Sequence, residues 1–185
     1  MIFFALLVLS MFAAIVVEHF IGPLPVIQAR VLLMPIVLFY GTLALPLPGM
    51  LALTFIGGLM WDALNTQYLD GTVEISAGWS ILLFAALGAI MSGFRPLFLR
   101  GRWEIHCLLA GVCTSALVLA EYLMITIRRE PVHFIFNDQV WWKIGGAGMV
   151  ATFLSPLIFF LFNYLAALTG YDPQPERGEA KRPGK

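Results

Sequence analysis

The sequence predicts an all-α membrane protein arranged as a six-helix transmembrane bundle, and three observations carry that prediction. Hydrophobic residues make up 60% of the 185 positions and charged residues only 12%, with 15 Phe and 5 Trp. Soluble domains are about half apolar and about a quarter charged. The few charged residues cut the chain between positions 2 and 168 into segments of membrane length, and a spanning helix needs about 20 mostly apolar residues. A bilayer also obliges the backbone to satisfy its own hydrogen bonds, which in a chain of this pattern means helices.

The segments follow in order. The first, 2–17, ends at Glu18 and His19 and has neither a basic flank before it nor a small-residue cleavage site after it, so it reads as a retained helix. Gly22-Pro23-Leu24-Pro25 forms a stiff turn into the second, 26–45, which carries Arg30 near its start and Pro35 inside. Pro46-Leu47-Pro48-Gly49 reads as a tight turn, and the third segment, 50–64, contains Gly57-Gly58 and reaches Asp62. The connection 65–77 is polar, with an Asp70-Gly71 turn signal and a short alternation from Thr72 to Ile75. The fourth and fifth segments are 78–97 and 103–127, separated by Arg95, Arg100 and Arg102. A second polar loop precedes the sixth, 140–168, which opens on Trp141-Trp142-Lys143. The charged, Pro-containing tail 170–185 lacks the apolar residues a packed segment needs and is expected to be disordered.

Lys and Arg set the orientation. An even number of spans puts both termini on one side, and placing them in the cytoplasm gathers Arg95, Arg100, Arg102, Arg177, Lys181, Arg182 and Lys185 inside. The acidic, base-free 65–77 loop then lies outside, with Arg128 and Arg129 as exceptions to the rule. The expectation is a multi-pass membrane protein with both termini cytoplasmic. The net charge is zero, which gives no footing for nucleic acid. Contact with membrane lipid is expected throughout, and Trp103, Trp141 and Trp142 sit at segment edges as interfacial anchors.

In this frame five ionisable residues fall at one depth, in the outer third of the membrane: Glu18, Arg30, Asp62, Glu121 and Lys143. Glu121 lies roughly two turns, about 9 Å at 1.5 Å per residue, below the outer end of its helix. Charges inside spans are costly and face a partner or a wet cavity. Long side chains near an end can snorkel to water, and for Glu18, Arg30 and Lys143 this reading and membership of a shared polar network or pocket stand equal. Asp62 is too short to reach far, and Glu121 sits among Leu117, Leu119 and Leu123. For these two the expectation is a buried polar network with Arg30 or Lys143 that closes the bundle or lines an outward-facing pocket. Ala85/Ala89, Ala116/Ala120 and Ala147/Ala151 are small residues spaced four apart, and Gly57-Gly58 marks close packing or a bend.

Catalytic constellations are missing. None of the three histidines fits a His-Glu-x-x-His metal pair, Gly78-Trp79-Ser80 is followed by Ile81 and not by the glycine of an intramembrane serine protease, and no Gly-rich phosphate loop is present. Cys107 and Cys113 share one helix and point to different faces, so no disulfide or metal site is expected. Asp62 and Glu121 are a carboxylate pair that could shuttle protons, but nothing else in the chain indicates a pump. No enzyme activity and no cofactor are expected.

Several blocks, in order, resemble the MreD family of bacterial rod shape-determining membrane proteins. They are Leu38-Phe39-Tyr40 through Leu43-Ala44-Leu45-Pro46, then Phe55-Ile56-Gly57-Gly58-Leu59-Met60-Trp61-Asp62, which is similar to the family's Gly-Leu-x-x-Asp signature, then Ala120-Glu121-Tyr122-Leu123, and finally Ser155-Pro156. The resemblance covers about 18–168, and Pro156 joins Gly57 and Gly58 as a helix-packing position. The chain departs from the family in 65–77, which is longer and more polar than the family's connection. The resemblance implies a non-enzymatic subunit of the cell-elongation (peptidoglycan synthesis) machinery, the rod complex or elongasome. It would dock an MreC-like protein and, through it, act with the MreB filament, the RodA glycosyltransferase and a class B penicillin-binding transpeptidase. It also implies a fold similar to the substrate-binding subunits of energy-coupling-factor transporters. A vitamin-transporter substrate subunit is the competing reading. Its first helix would carry spaced small residues, whereas here Ala13 and Ala14 are adjacent.

Overall fold

The computed structural model describes residues 1–22, 30–65, 68–69, 72–73, 78–98, 103–128 and 137–171. Its helices are α1 (Ile2–Phe20), α2 (Leu33–Ala44), α3 (Leu47–Leu64), α4 (Trp79–Gly93), α5 (Arg95–Phe98), α6 (Trp103–Arg128) and α7 (Asp138–Leu168). Two two-residue strands, β1 (Tyr68–Leu69) and β2 (Thr72–Val73), pair antiparallel with Tyr68 opposite Val73 and Leu69 opposite Thr72. This hairpin falls where the 72–75 alternation pointed. The tail 172–185 lies outside the described residues.

Among the described residues four helices are long and apolar enough to cross a membrane: Ile2–Phe20, Leu47–Leu64, Trp103–Ile127 and Asp138–Leu168. Their outward faces carry Leu9, Phe12, Phe55, Leu59, Leu108, Val112, Phe153 and Leu157, all exposed. A surface of this kind is unstable against water and suited to lipid, and the chain is a predominantly helical, multi-pass membrane protein. The helix α7, with 31 residues, extends about 46 Å at 1.5 Å per residue, longer than a hydrocarbon core of about 30 Å.

The short helix α2 is the centre of the bundle. Every residue from Met34 to Ala44 is buried, and α2 packs against α1, α3, α4, α5, α6 and α7. A helix apolar on all sides has to be enclosed by others, and its sequence leaves no polar face to present. Around it, α6 and α7 form the most extensive pair and α3 and α4 the next.

Glycine explains both pairs. A Cβ on Gly58 would lie 2.5 Å from the Ile81 Cα and 2.7 Å from its backbone nitrogen, so α3 and α4 touch backbone to backbone there. In the other pair Gly111 faces the Thr152 hydroxyl and Gly148 faces the Ser115 hydroxyl, with each glycine's missing Cβ about 3 Å from the other's carbonyl oxygen (3.0 and 2.8 Å). The tightest approach therefore uses Gly111/Ser115 and Gly148/Thr152, one four-residue step on each helix. The Ala116/Ala120 pair that spacing singled out is only half-buried, while Ala147 and Ala151 are buried beside the Gly148 crossing.

Several boundaries differ from the sequence expectation, beginning with the first span, expected at 2–17, which continues through Glu18 and His19 to Phe20. The second span, expected at 26–45, becomes helical only at Leu33, after an extended Leu32 (φ −101°, ψ 95°). Pro35 then occupies the third helical position, within the first turn, where a missing N–H leaves no bond unmade; Arg30 consequently precedes the helix instead of lying one turn inside it. Pro46-Leu47-Pro48-Gly49, expected as a turn, is mostly helix. Pro46 is the N-cap and Pro48 sits in the first turn, a position that proline's fixed φ favours. The fourth span, expected at 78–97, breaks at Phe94 into α4 and α5, because Pro96 has no N–H with which to continue the ladder.

At the other end of the chain Phe3 stacks on Tyr171 with ring centroids 4.5 Å apart, and the Tyr171 hydroxyl donates to the Ala44 carbonyl at the end of α2. Residues 3 and 171 therefore meet at one end of the bundle.

Candidate functional site

At the opposite end, where α1, α3 and α6 approach their C-termini and α2 and α7 begin, lies a cavity of about 670 Å³. Its origin is the length of α2. Twelve residues span about 18 Å, too short to fill the middle of a bundle made of 18- to 31-residue helices. Val31 and the extended Leu32, which lead into α2, line the space left over. Glu18, Arg30, Glu121 and Lys143 also line it, together with Trp61. Four of the five charges singled out from spacing thus share one cavity. Asp62, one residue from Trp61, is not among the lining residues.

Each acid has an identifiable bond. The Glu18 carboxylate accepts from the backbone N–H of Met34, the second residue of α2. The first N–H groups of a helix have no partner inside it, and Leu32 at the N-cap offers no side-chain acceptor. A carboxylate from α1 supplies one and also complements the positive end of the α2 dipole. Asp62 does the same for α4, where its carboxylate accepts from the N–H of Gly78, the N-cap residue. Gly78 adopts φ +97°, a left-handed backbone that favours glycine. In a bilayer, where water does not serve these groups, such caps donated by a neighbouring helix replace hydration.

Glu121 is used differently. It is half-buried, and its Oε1 accepts from the Trp61 indole Nε1 at 3.1 Å, a bond that ties α3 to α6. Trp61 is buried and packs edge-on against Phe84 of α4, with centroids 5.9 Å apart. Arg30 and Lys143 are exposed on the cavity wall, and among the described residues neither forms a hydrogen bond. Arg30 acts electrostatically on both Glu18 and Glu121.

The helix-packing positions occupy other places. Gly57 faces the side-chain ends of Leu38, Met11 and Met34, and Gly58 faces the Ile81 backbone. Pro156 lies inside α7 beside Ser155, whose hydroxyl donates to the Ala151 carbonyl at 2.6 Å.

Sequence reasoning passed over Trp61 as a site residue, although a buried indole N–H requires an acceptor and Trp61 adjoins Asp62. It also passed over Asn65 and His19, which line the cavity, and over His106, buried among Tyr40, Phe98 and Phe159 with ring centroids 5.7, 6.5 and 6.0 Å away. Cys107 and Cys113 are buried free thiols. Among the described residues no three His, Cys, Asp or Glu side chains gather as a metal ion would need. Comparison of the chain with protein-family models, curated proteins and solved structures yields no match.

Proposed function

We propose that this protein is an MreD-like membrane scaffold of the bacterial cell-elongation machinery, a six-span, non-enzymatic subunit that docks the membrane helix of an MreC-like partner. In this reading both termini are cytoplasmic, the cavity opens to the outside, and α2 and the α4–α5 pair complete the six crossings of the inner membrane. The partner links the scaffold to the MreB filament, RodA and a class B penicillin-binding transpeptidase. One observation carries the reading most. The blocks that resemble the family fall on residues that fix helix ends and helix contacts: Gly58 at the α3–α4 contact, Asp62 capping α4, and Glu121 joining α6 to α3. Residues so used shape a receiving surface.

A second reading has its own support in the 670 Å³ cavity, a volume within the range of small-molecule sites. In it the chain is the substrate-binding membrane subunit of a vitamin transporter. Affinity purification of the tagged chain from native membranes in mild detergent separates the two. Recovery of an MreC-like protein, reduced by Asp62→Ala, is the expected result. Recovery of a transporter ATPase pair, or of a bound vitamin with no protein partner, would replace the scaffold reading with the transporter one.

A further inference from the structure

The cavity has a chemistry that neither docking nor vitamin uptake specifies. Its two acids are already engaged, Glu18 by the N-terminus of α2 and Glu121 by the Trp61 indole. Its two cations, Arg30 from the segment that leads into α2 and Lys143 from the second turn of α7, are exposed on the wall and without hydrogen bonds among the described residues. The carboxylates already offset the two positive charges, and what the site leaves unused is the hydrogen-bond donors of the Arg30 guanidinium and the Lys143 ammonium, which call for an oxygen acceptor. Arg and Lys together are the natural receptors of a phosphate, the guanidinium as a planar fork and the ammonium as a point charge.

The position of the cavity identifies the source. Trp141 and Trp142, both exposed, lie in the first turns of α7 immediately before Lys143, and exposed tryptophans at helix ends mark the level of lipid headgroups. We infer that the cavity binds the phosphate of a phospholipid headgroup between Arg30 and Lys143, with the acyl chains leaving along the apolar outer faces of the bundle. The inference stands apart from the scaffold reading, since a lipid could fill this site in either kind of protein.

The test uses delipidated, detergent-purified full chain and three probes: dihexanoyl phosphatidylglycerol, dihexanoylglycerol, which lacks the phosphate, and inorganic phosphate. Thermal unfolding is followed as each is added. The expected result is a saturable rise in Tm with phosphatidylglycerol and none with dihexanoylglycerol. Arg30→Gln and Lys143→Gln, both exposed and so tolerated by the fold, should each weaken the apparent affinity about tenfold, the size of one lost charge-assisted hydrogen bond. Arg30→Lys should recover part of the loss. A rise with inorganic phosphate that depends on the same two residues would keep the phosphate site and make its ligand soluble. No rise with either phosphate probe, an equal rise with dihexanoylglycerol, or unchanged affinity in both Gln variants would overturn the proposal.

Discussion

Gly57 and Gly58 are neighbours in α3 with opposite surroundings. A Cβ on Gly58 meets backbone atoms of Ile81, which cannot move without separating α3 from α4. A Cβ on Gly57 meets the far ends of Leu38, Met11 and Met34, which can rotate away. Gly58→Ala should therefore destabilise the protein by about 1–3 kcal/mol, the usual range for overpacking, and Gly57→Ala by clearly less. Gly145 in α7 has open space around it, so Gly145→Ala should be neutral or stabilising by up to about 1 kcal/mol. Unfolding in mixed micelles of rising SDS fraction ranks the three, and a Gly58→Ala protein as stable as wild type would contradict the close α3–α4 contact. At this scale the sequence was partly legible. The double glycine announced tight packing, but only the three-dimensional register shows which glycine bears it. The same limit applies to α6 and α7, whose small residues are so numerous that spacing alone chose Ala116 and Ala120 over Gly111 and Ser115.

Helices here are held by what their neighbours lend them. Asp62 caps α4 across sixteen positions, and Glu18 caps α2 across the same separation. Asp62→Ala should lower stability by about 0.5–2 kcal/mol, the common cost of a lost N-cap, while Asp62→Asn, which keeps an acceptor oxygen, should cost less. Equal losses for the two variants in the same SDS titration would show that the charge and not the hydrogen bond matters. The Trp61–Glu121 bond joins elements sixty residues apart. A double-mutant cycle with Trp61→Phe and Glu121→Gln should give a coupling of about 0.6 kcal/mol, the mean for side-chain hydrogen bonds inside membrane proteins; a coupling of zero would remove that bond as a link between α3 and α6. The long helices were legible because each holds at least 18 residues of predominantly apolar character. The start of α2 was not, because a proline at position 35 reads equally as a kink inside a helix or as part of its first turn, and the cap that decides the matter comes from another helix. That Glu18, Arg30, Glu121 and Lys143 share a wall could be anticipated from their common depth. That the acids are spent on a helix end and an indole could not.

Over the whole molecule, two ends of the bundle have different characters. One gathers the cavity and its charges. The other is closed by aromatic packing, where Tyr40 contacts Phe98, Phe159 and Phe162 and where Phe3 stacks on Tyr171. That stack places the beginning and end of the helical domain side by side. In the scaffold reading, a fluorescent-protein fusion at the C-terminus, which matures only in the cytoplasm, should be bright, and an impermeant thiol reagent added to intact cells should fail to label an Ile2→Cys variant. Labelling at that position, or a dark fusion, would invert the orientation and turn the cavity toward the cytoplasm. The native thiols do not interfere, since Cys107 and Cys113 are both buried.

The central claim is that this bundle serves cell elongation as a scaffold. Its most direct test is depletion of the chain in its native host while cell width and the incorporation of a fluorescent D-amino acid into new wall are followed. The account predicts rounding of the cells and loss of side-wall incorporation, restored by the wild-type chain and poorly by Asp62→Ala. Cells that keep their shape and side-wall labelling, but lose uptake of a vitamin, would contradict it.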